Sequence, residues 1–507
     1  MGEAKRRQDL VKQEMVEALG LETAGGRLQV RWDNSAQATP HGQMAFFIEF
    51  LTLSGLFEEW VADCPLVYTS PNGSSPREVL GTWLLSILAG HWRYAHVSAL
   101  RADGVNPRLL GMDSVVAEDT LRRALKAIDE AAGIAWLDRH IERTVTPLLN
   151  APWILDVDVT VKPLYGKQEG AVIGFNPKKP GRPSHAYHTY QVSGLRLMLG
   201  VDVLAGNQSH ANHTLPGLMG ILDTLPAEKR PQLVRGDAGL AGEPMLKALE
   251  ARGQPYLFKL RLTKNVKRYV ERVFWNSDWH DAGQGWEGQD GELKLLGWSR
   301  KRRMIVLRRV LSGEALLADP AQGVLAFVEA DVPAKRYEYA VLVTDLPHEV
   351  LSLAQLYRDR ADAENTFDEL KNQWGWGGFT THDLARCRLC AMAVALVYNW
   401  WSLFVRLGNP GARLEAITSR PFLLSAVARR TTHAHAQQLT ITPQHAKADE
   451  AKSMLTSIHT LLRRFRDVAE QLRTTSVWQL ICEHIMATVA RFKPNPRLGL
   501  PPPAQPC

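Results

Sequence analysis

The pattern that most restricts the fold is an alternation of short apolar runs with longer helical runs, beginning at Trp153. Short apolar runs bounded by turn residues are typical of buried strands, and their alternation with helices is typical of a layered α/β domain. The sequence therefore predicts an α/β core with a mixed sheet. Strands are predicted at residues 153–164, 196–204, 231–237, 256–262 and 337–345, and helices at 215–225 and 243–252.

Changes in composition divide the chain into five predicted regions. A segment rich in turns, tryptophans and basic side chains interrupts the alternation, which predicts a β-rich insertion on the same sheet. Helical regions flank the core, and the N-terminal one fits either a small DNA-binding module or a solvated amphipathic bundle. The predicted bounds are 1–150 for the N-terminal region, 151–262 and 337–405 for the two parts of the core, 263–336 for the insertion, and 406–507 for the C-terminal helices and Pro-rich tail.

The charge and cysteine content restrict the partner and the compartment. The chain has 60 lysines and arginines against 53 acidic residues, a mild excess that permits a polyanionic partner without proving one. Five irregularly spaced cysteines favour a reducing compartment, and Cys387 and Cys390 are predicted to be buried thiols. We find no signal-peptide pattern and no apolar run of about 18 residues, so we expect a cytoplasmic protein.

A stripe of polar residues at helical spacing follows the last predicted strand. Such a stripe is normally apolar because it packs against a core, so we expect this one to bind a charged ligand. The alternative is a set of structural ion pairs, such as Arg360 with Glu364 or Lys371 with Asp368. Its members, at steps of three, four and seven on one predicted helix face, are Tyr357, Arg360, Glu364 and Lys371.

Carboxylates on the predicted strands could join Glu364 in one site. Asp156 and Asp158 alternate onto the same face of a strand, where they call for a cation unless that face is in water. Asp237 ends another strand, where ligands gather in open α/β sheets, although an aspartate there is also a common helix cap. Three carboxylates from two strands and a helix suit Mg²⁺ or Mn²⁺ and phosphodiester chemistry with two ions, with Asp368 as a substitute ligand.

Three motifs together resemble the DDE transposases of bacterial insertion sequences. They are Y-x2-R-x3-E-x6-K at Tyr357–Lys371, Asp-x-Thr at Asp158–Thr160, and the strand-end Asp237. The chain is most similar to the cut-and-paste branch with the Y-R-E-K signature, and the loop Tyr165–Ser184 is similar to that of one subgroup.

The resemblance implies an RNase H-like catalytic core that binds the terminal inverted repeats, cleaves at the element ends and joins the 3′-ends to target DNA. It implies Asp158, Asp237 and Glu364 as catalytic residues and metal ligands, with Asp156 as a substitute for Asp158. We further expect double-stranded DNA as the partner, a homodimer on paired ends, and a nucleoid-associated protein of the bacterial cytosol. The alternatives are a metal-dependent nuclease without strand transfer and a catalytically silent DNA-binding repressor.

Basic and aromatic residues supply the predicted DNA contacts. Cations hold phosphates and aromatic rings stack on unpaired bases, so basic residues beside the polar stripe, in the loop and in the insertion are candidates. The resemblance points to Trp298 for stacking a flipped base, although a core role is the alternative for every tryptophan of the insertion. The predicted contacts are Tyr357, Arg360, Lys371, Lys178, Lys179, Arg182, Trp298, Arg300, Arg302 and Arg303.

Overall fold

The protein is built around a large mixed sheet, seen in a computed structural model. The structure describes residues 19–33, 36–68, 73–149, 152–176, 179–208, 210–311, 337–411, 414–433, 436–442 and 446–492. Lys178, one of the predicted DNA contacts, and the Pro-rich tail lie outside these residues.

The described strands are fifteen in chain order. They are β1 Leu19–Thr23, β2 Gly26–Val30, β3 Gln37–Thr39, β4 Ile154–Pro163, β5 Val172–Ile173, β6 Pro183–Val192, β7 Leu197–Ala205, β8 Leu233–Gly236, β9 Tyr256–Lys259, β10 His280–Gly283, β11 Trp286–Leu293, β12 Arg302–Val310, β13 Tyr337–Thr344, β14 Val427–His433 and β15 Ala436–Thr442.

The described α-helices surround this sheet. They are α1 Met44–Ser54, α2 Leu56–Ala62, α3 Pro76–Leu88, α4 Val97–Leu100, α5 Asn106–Leu109, α6 Glu118–Ala127, α7 Glu130–Val145, α8 His210–Thr224, α9 Glu243–Ala251, α10 Lys264–Phe274, α11 Val350–Arg358, α12 Ala361–Asn372, α13 Leu384–Gly408, α14 Ala416–Leu423, α15 Ala448–Leu472 and α16 Val477–Phe492.

The order of strands in the main sheet places the predicted catalytic residues. The order is β10-β11-β12-β13-β9-β8-β4-β6-β5, and β7 also pairs with β6. β4, β8 and β9 are parallel neighbours, whereas β6, β7 and β13 pair antiparallel. The mixed α/β fold is therefore confirmed, and β8 and β9 end at one edge of the sheet beside the middle of the longer β4.

The strand β6 was missed by the sequence reasoning, which ended a loop at Ser184. Polar side chains mask its apolar pattern, and their hydrogen bonds explain how they are buried. His188 Nδ1 lies 2.6 Å from Thr214 Oγ1, and His185 Nε2 lies 2.8 Å from the carbonyl oxygen of Glu169.

The predicted insertion does extend the same sheet. β10, β11 and β12 continue it beyond β13 through antiparallel pairing, and α10 packs at the start of the segment. The residue bounds of the insertion and of the other regions stay predictions.

The C-terminal region is not wholly helical as predicted. β14 and β15 form a hairpin, and β14 also pairs with β3, so an N-terminal strand and two C-terminal strands share one three-stranded sheet. The hairpin is largely exposed, so it lacks the apolar alternation that reveals a half-buried strand.

Helix α13 is the centre of the hydrophobic core. Its side chains are buried almost all round, which is expected of a core helix. Asn399 ties it to β7 through hydrogen bonds of 2.8 Å to the backbone N–H and C=O of Met198. By length and composition α13 is the one described helix that could cross a membrane, but 89% of its most apolar stretch is buried inside the protein. The buried positions predicted for Cys387 and Cys390 are confirmed.

Candidate active site

Asp158 and Asp237 are neighbours because of the pairing of their strands. Val157 of β4 lies opposite Gly236, the last residue of the parallel strand β8. The next residue along each chain is therefore one of the two aspartates, and both side chains line the same cleft. The glycine brings β8 close to its neighbour, since a Cβ at Gly236 would lie 2.4 Å from the ring of Phe258.

The polar stripe lies on two helices, so the prediction of one continuous helix is wrong. α11 ends at Arg358 and α12 begins at Ala361. Between them the Arg360 N–H donates to the Tyr357 carbonyl at 3.1 Å, and the Ala363 N–H donates to the Arg360 carbonyl at 2.9 Å. These bonds span three residues and form a tighter turn than an α-helix.

This turn aims two side chains of the stripe at the two aspartates. The Tyr357 hydroxyl donates to Asp237 Oδ1 at 3.5 Å. The Arg360 guanidinium forms an ion pair with Asp158 through Nη2, while its Nη1 lies 3.6 Å from Glu364 Oε1. The alternative of an Arg360–Glu364 ion pair is thus present, but the closer partner of Arg360 comes from β4. The Glu364 side chain remains 69% exposed and faces the cleft.

The charges of the site are strongly coupled. Burial raises the pKa of Asp158 to about 6; Asp237 and Glu364 also raise it, and Arg360 opposes them. Burial lowers the pKa of Arg360, but the charges of Asp158, Tyr357, Asp237 and Asp156 together outweigh burial, and the pKa ends above its usual value. Burial and the carboxylates raise the pKa of the Tyr357 hydroxyl, which keeps it protonated as a donor.

Asp156 has a structural partner and does not share the site. Its two oxygens accept hydrogen bonds of 2.7 and 2.8 Å from Nε and Nη2 of Arg235, and both side chains are fully buried. Arg235 also donates to Ser193 Oγ at 2.8 Å and to the carbonyl of Leu356. The pair therefore ties β4, β8 and α11 together, and its geometry leaves Asp158 as the carboxylate of β4 that faces the cleft.

Carboxylate oxygens such as those of Asp158, Asp237 and Glu364 are suitable ligands for a hard divalent cation. In this structure, however, the Arg360 guanidinium lies between Asp158 and Glu364. Among the described residues, no three His, Cys, Asp or Glu side chains are close enough together to hold a metal ion. Burial is the main cause of the raised pKa of Asp158, and the charges of Asp237 and Glu364 add to it; a bound cation would oppose all three effects. Arg360, between Asp158 and Glu364, supplies positive charge there.

The cleft around these residues has a volume of about 1100 Å³ and a cationic lining. Lysines and arginines outnumber the four acidic residues, Asp158, Asp237, Glu338 and Glu364. Such a surface suits a polyanion whose phosphates approach the carboxylates. The cations are Lys179, Lys259, Arg261, Lys267, Arg309, Arg358, Arg360 and Lys371.

A comparison of the sequence with known protein families identifies the class to which this protein belongs. The profile of the family described as "Transposase DDE domain group 1" matches residues 73–463, well over half of the chain. The chain belongs to the DDE transposases. Among solved structures it is similar to a piggyBac transposase in a synaptic complex with hairpin DNA, at 12% identity and a TM-score of 0.37, over 91% of this chain and 87% of that one. A search of curated proteins finds no match.

Four of the DNA contacts predicted for this DDE transposase lie in the insertion, where each has a partner within the protein. Arg302 is buried and bonds Glu243 and Glu250 of α9 at 2.6 Å each, and Trp298 is buried with the Arg302 guanidinium 4.8 Å from its ring centroid. Arg300 pairs with Glu250 at 2.9 Å, and Arg303 pairs with Asp290. None of the four is in the cleft lining, and their role as DNA contacts stays a prediction.

The DNA contacts predicted for the loop and the helices of this DDE transposase form two groups, those that line the cleft and those that do not. Tyr357, Arg360, Lys371 and Lys179 line the cleft. Arg182 lies outside the lining, with its guanidinium 4.9 Å from the ring centroid of Tyr165.

Two aromatic residues in the cleft were not among the predicted DNA contacts. Trp286 of β11 lines it beside Arg309, with 5.0 Å from guanidinium to ring centroid, and Phe175 lines it beside Arg261. The tryptophans of the insertion look alike in sequence, and only the structure shows that Trp286 lines the cleft.

Proposed function

We propose that the protein is a DNA transposase of a bacterial insertion sequence, in the cut-and-paste branch with the Y-R-E-K signature. It binds the terminal inverted repeats, cleaves at the ends and joins the 3′-ends to target DNA. Support comes from the family and from one observation above all: Asp158, Asp237 and Glu364, from two strands and a helix, all line one cation-rich cleft.

An RNase H-like core is the architecture that we propose for the catalytic region. The parallel pair β4 and β8 carries the two aspartates side by side at the middle of a mixed sheet, and β6 and β7 add antiparallel strands on one side. Glu364 then reaches the same edge from α12, after the inserted strands.

The three carboxylates would hold two Mg²⁺ or Mn²⁺ ions. When bound, such ions activate the attacking water or 3′-hydroxyl and stabilise the leaving oxygen of a phosphodiester. Tyr357 orients Asp237 through its hydroxyl, and the burial of Asp158 keeps its carboxylate partly dehydrated.

Arg360 has two roles in this proposal. Without a divalent ion, its guanidinium balances the charges of Asp158 and Glu364. When another cation neutralises those carboxylates, the guanidinium becomes available to a DNA phosphate, which it binds in a bidentate manner. Lys371 and Lys179 would add phosphate contacts within the same cleft.

The partner in this proposal is double-stranded DNA, both as element ends and as target. Cleavage of two ends calls for two copies of the site, so we propose a homodimer on paired ends. The protein would act at the nucleoid of the bacterial cytosol.

Replacement of the carboxylates tests the proposal directly. Asp158→Asn, Asp237→Asn and Glu364→Gln should each abolish Mg²⁺-dependent cleavage of a plasmid that carries the inverted repeats flanking this reading frame, while binding of the repeat persists. Asp368→Asn is the matched control, because Asp368 is exposed on the same helix, bonds Asn372 and lies outside the cleft lining. Full cleavage by any one of the three variants would exclude that carboxylate as a ligand.

A strand-transfer assay separates the alternatives. A pre-cut end with a free 3′-hydroxyl should join to supercoiled target DNA. Cleavage without joining would indicate a nuclease, and binding of the repeat without cleavage would indicate a repressor.

A further inference from the structure

An exposed aromatic ring stands in the cleft beside a guanidinium. Phe175 follows β5 and is 64% exposed, although its ring is large and apolar. The guanidinium carbon of Arg261 lies 5.9 Å from the centroid of this ring, and both residues line the cleft that holds Asp158 and Asp237. Aromatic faces with nearby cations are the elements that bind unpaired nucleotides, since the base stacks while the phosphate is neutralised.

The residue after Phe175 offers a hydrogen-bond donor that has no acceptor within the described part of the chain. Asn176 is 7% exposed, and its Oδ1 accepts the backbone N–H of Lys179 at 3.1 Å. That bond fixes the orientation of the amide, because only the oxygen can accept. Nδ2 is then left buried without a partner, a costly arrangement unless a ligand supplies the acceptor.

These residues lie at the edge of the sheet that carries the predicted catalytic aspartates. Arg261 comes two residues after β9, which is the parallel neighbour of β8, and Asp237 follows β8 directly. Arg261 therefore extends from the same edge of the sheet as Asp237. Phe175 and Asn176 reach this edge from β5, on the far side of β4 and β6 in the sheet order.

We propose that Phe175, Asn176 and Arg261 form a subsite for one unpaired nucleotide of the DNA substrate, next to the catalytic carboxylates. The base stacks on the Phe175 ring, Asn176 Nδ2 donates to an acceptor oxygen of the nucleotide, and Arg261 pairs with its phosphate. A phenyl face accepts any base, so the subsite favours single-stranded over paired DNA without reading sequence. This inference rests on the proposed function, because it requires DNA in the cleft.

Two probes that differ only in unpaired nucleotides test the subsite. The first is a fluorescein-labelled duplex of mixed sequence, and the second is the same duplex with a short single-stranded extension of thymines. The wild-type protein should bind the extended duplex more tightly, by about tenfold, the effect expected of one stacked base. Phe175→Ala should remove this difference and leave the affinity for the blunt duplex unchanged, and Phe175→Trp should restore it.

Further variants separate stacking from a general loss of structure. Asn176→Asp keeps the oxygen that accepts the Lys179 N–H but replaces the donor with an anion, so it should also remove the preference for the extension. Trp275→Ala is the control, since Trp275 is 66% exposed but lies outside the cleft lining. Thermal unfolding should show equal stability for the wild type, Phe175→Ala and Trp275→Ala.

The outcomes distinguish the subsite from the proposed function. If Phe175→Ala keeps the preference for the extension, or Trp275→Ala loses it, the subsite is wrong while DNA binding stands. If the wild type binds neither probe, both the proposed function and the subsite are wrong.

Discussion

At the scale of single residues, Asp158 and Asp156 show how one strand carries two carboxylates with different tasks. Both lie on the same face of β4, and each is paired with an arginine: Asp156 with Arg235 in the interior, Asp158 with Arg360 at the cleft. The sequence could predict the shared face from the period of two. It could not predict the partners, because each arginine lies at least 79 residues away along the chain.

We expect Asp156→Asn to act on stability. Breaking a buried ion pair from one side leaves Arg235 charged without its partner, which costs about 3–5 kcal/mol. Urea unfolding should show a loss of that size, whereas DNA cleavage by the folded fraction should persist. A stable but inactive Asp156→Asn would instead support Asp156 as a ligand.

The raised pKa of Asp158 should make the stabilisation of the fold by Mg²⁺ depend on pH. Its pKa of about 6 in the folded protein exceeds its usual value, so the folded state binds this proton more tightly than the unfolded chain does. The stability gained from that proton is present at low pH and is lost as pH rises through about 6. A divalent ion stabilises only the ionised carboxylate, and protons compete with it below that pH.

The measurement is the shift in Tm caused by Mg²⁺ at different pH values. We expect a clear rise in Tm at about pH 7.5 and almost none at about pH 5, where Asp158 is mostly protonated. Asp158→Asn should abolish the rise at both values. An equal rise at both values would show that Mg²⁺ binds elsewhere.

At the scale of elements, the turn between α11 and α12 and the strand β6 are the features that the sequence concealed. No proline or glycine marks the turn at Asp359–Arg360 in the sequence. The turn is stabilised instead by the buried contact of Arg360 with β4, which a local sequence pattern does not reveal. The strands β4, β8, β9 and β13 were predictable because most of their residues are apolar or β-branched, whereas β6 depends on hydrogen bonds from distant residues.

The contact between the insertion and α9 supports a prediction on stability. Arg302 is buried between Glu243 and Glu250, whereas Arg300 binds Glu250 from a position that is 58% exposed. Arg302→Ala should therefore lower the free energy of unfolding by about 3–5 kcal/mol, and Arg300→Ala by less than about 1 kcal/mol. Equal losses would mean that burial does not set the strength of these pairs.

The loss of stability caused by Arg302→Ala should depend on pH. Burial raises the pKa of Glu250, but its bonds with Arg302, Arg300 and Tyr256 outweigh burial and bring it to about 2. A lowered pKa stabilises the fold above the usual value of a glutamate, and that stabilisation is lost as pH falls towards about 2. The difference in free energy of unfolding between the wild type and Arg302→Ala should therefore become smaller as pH falls over this range. Urea unfolding at several pH values measures it.

At the scale of the whole molecule, the N-terminal region is part of the body that carries the cleft. Trp60 stacks on Trp136 at 5.4 Å between centroids and meets Trp400 of α13 edge-on at 5.6 Å. β3 likewise pairs with β14 near the other end of the chain. A sequence predicts helices in such a region from their local pattern, but it does not show that they share one core with residues more than 200 positions away.

The cationic lining of the cleft leads to a prediction about the salt dependence of DNA binding. Each phosphate contact releases counterions, so the logarithm of the binding constant falls linearly with the logarithm of salt concentration, by about one unit of slope per contact. Lys371→Ala and Lys259→Ala should each weaken binding and reduce the slope by about one, because both lysines line the cleft. Lys452→Ala should leave the slope unchanged, since Lys452 is an exposed lysine of α15 outside that lining. Fluorescence anisotropy with a duplex of mixed sequence at several salt concentrations gives these slopes, and a reduced slope for Lys452→Ala alone would place the DNA on another face of the protein.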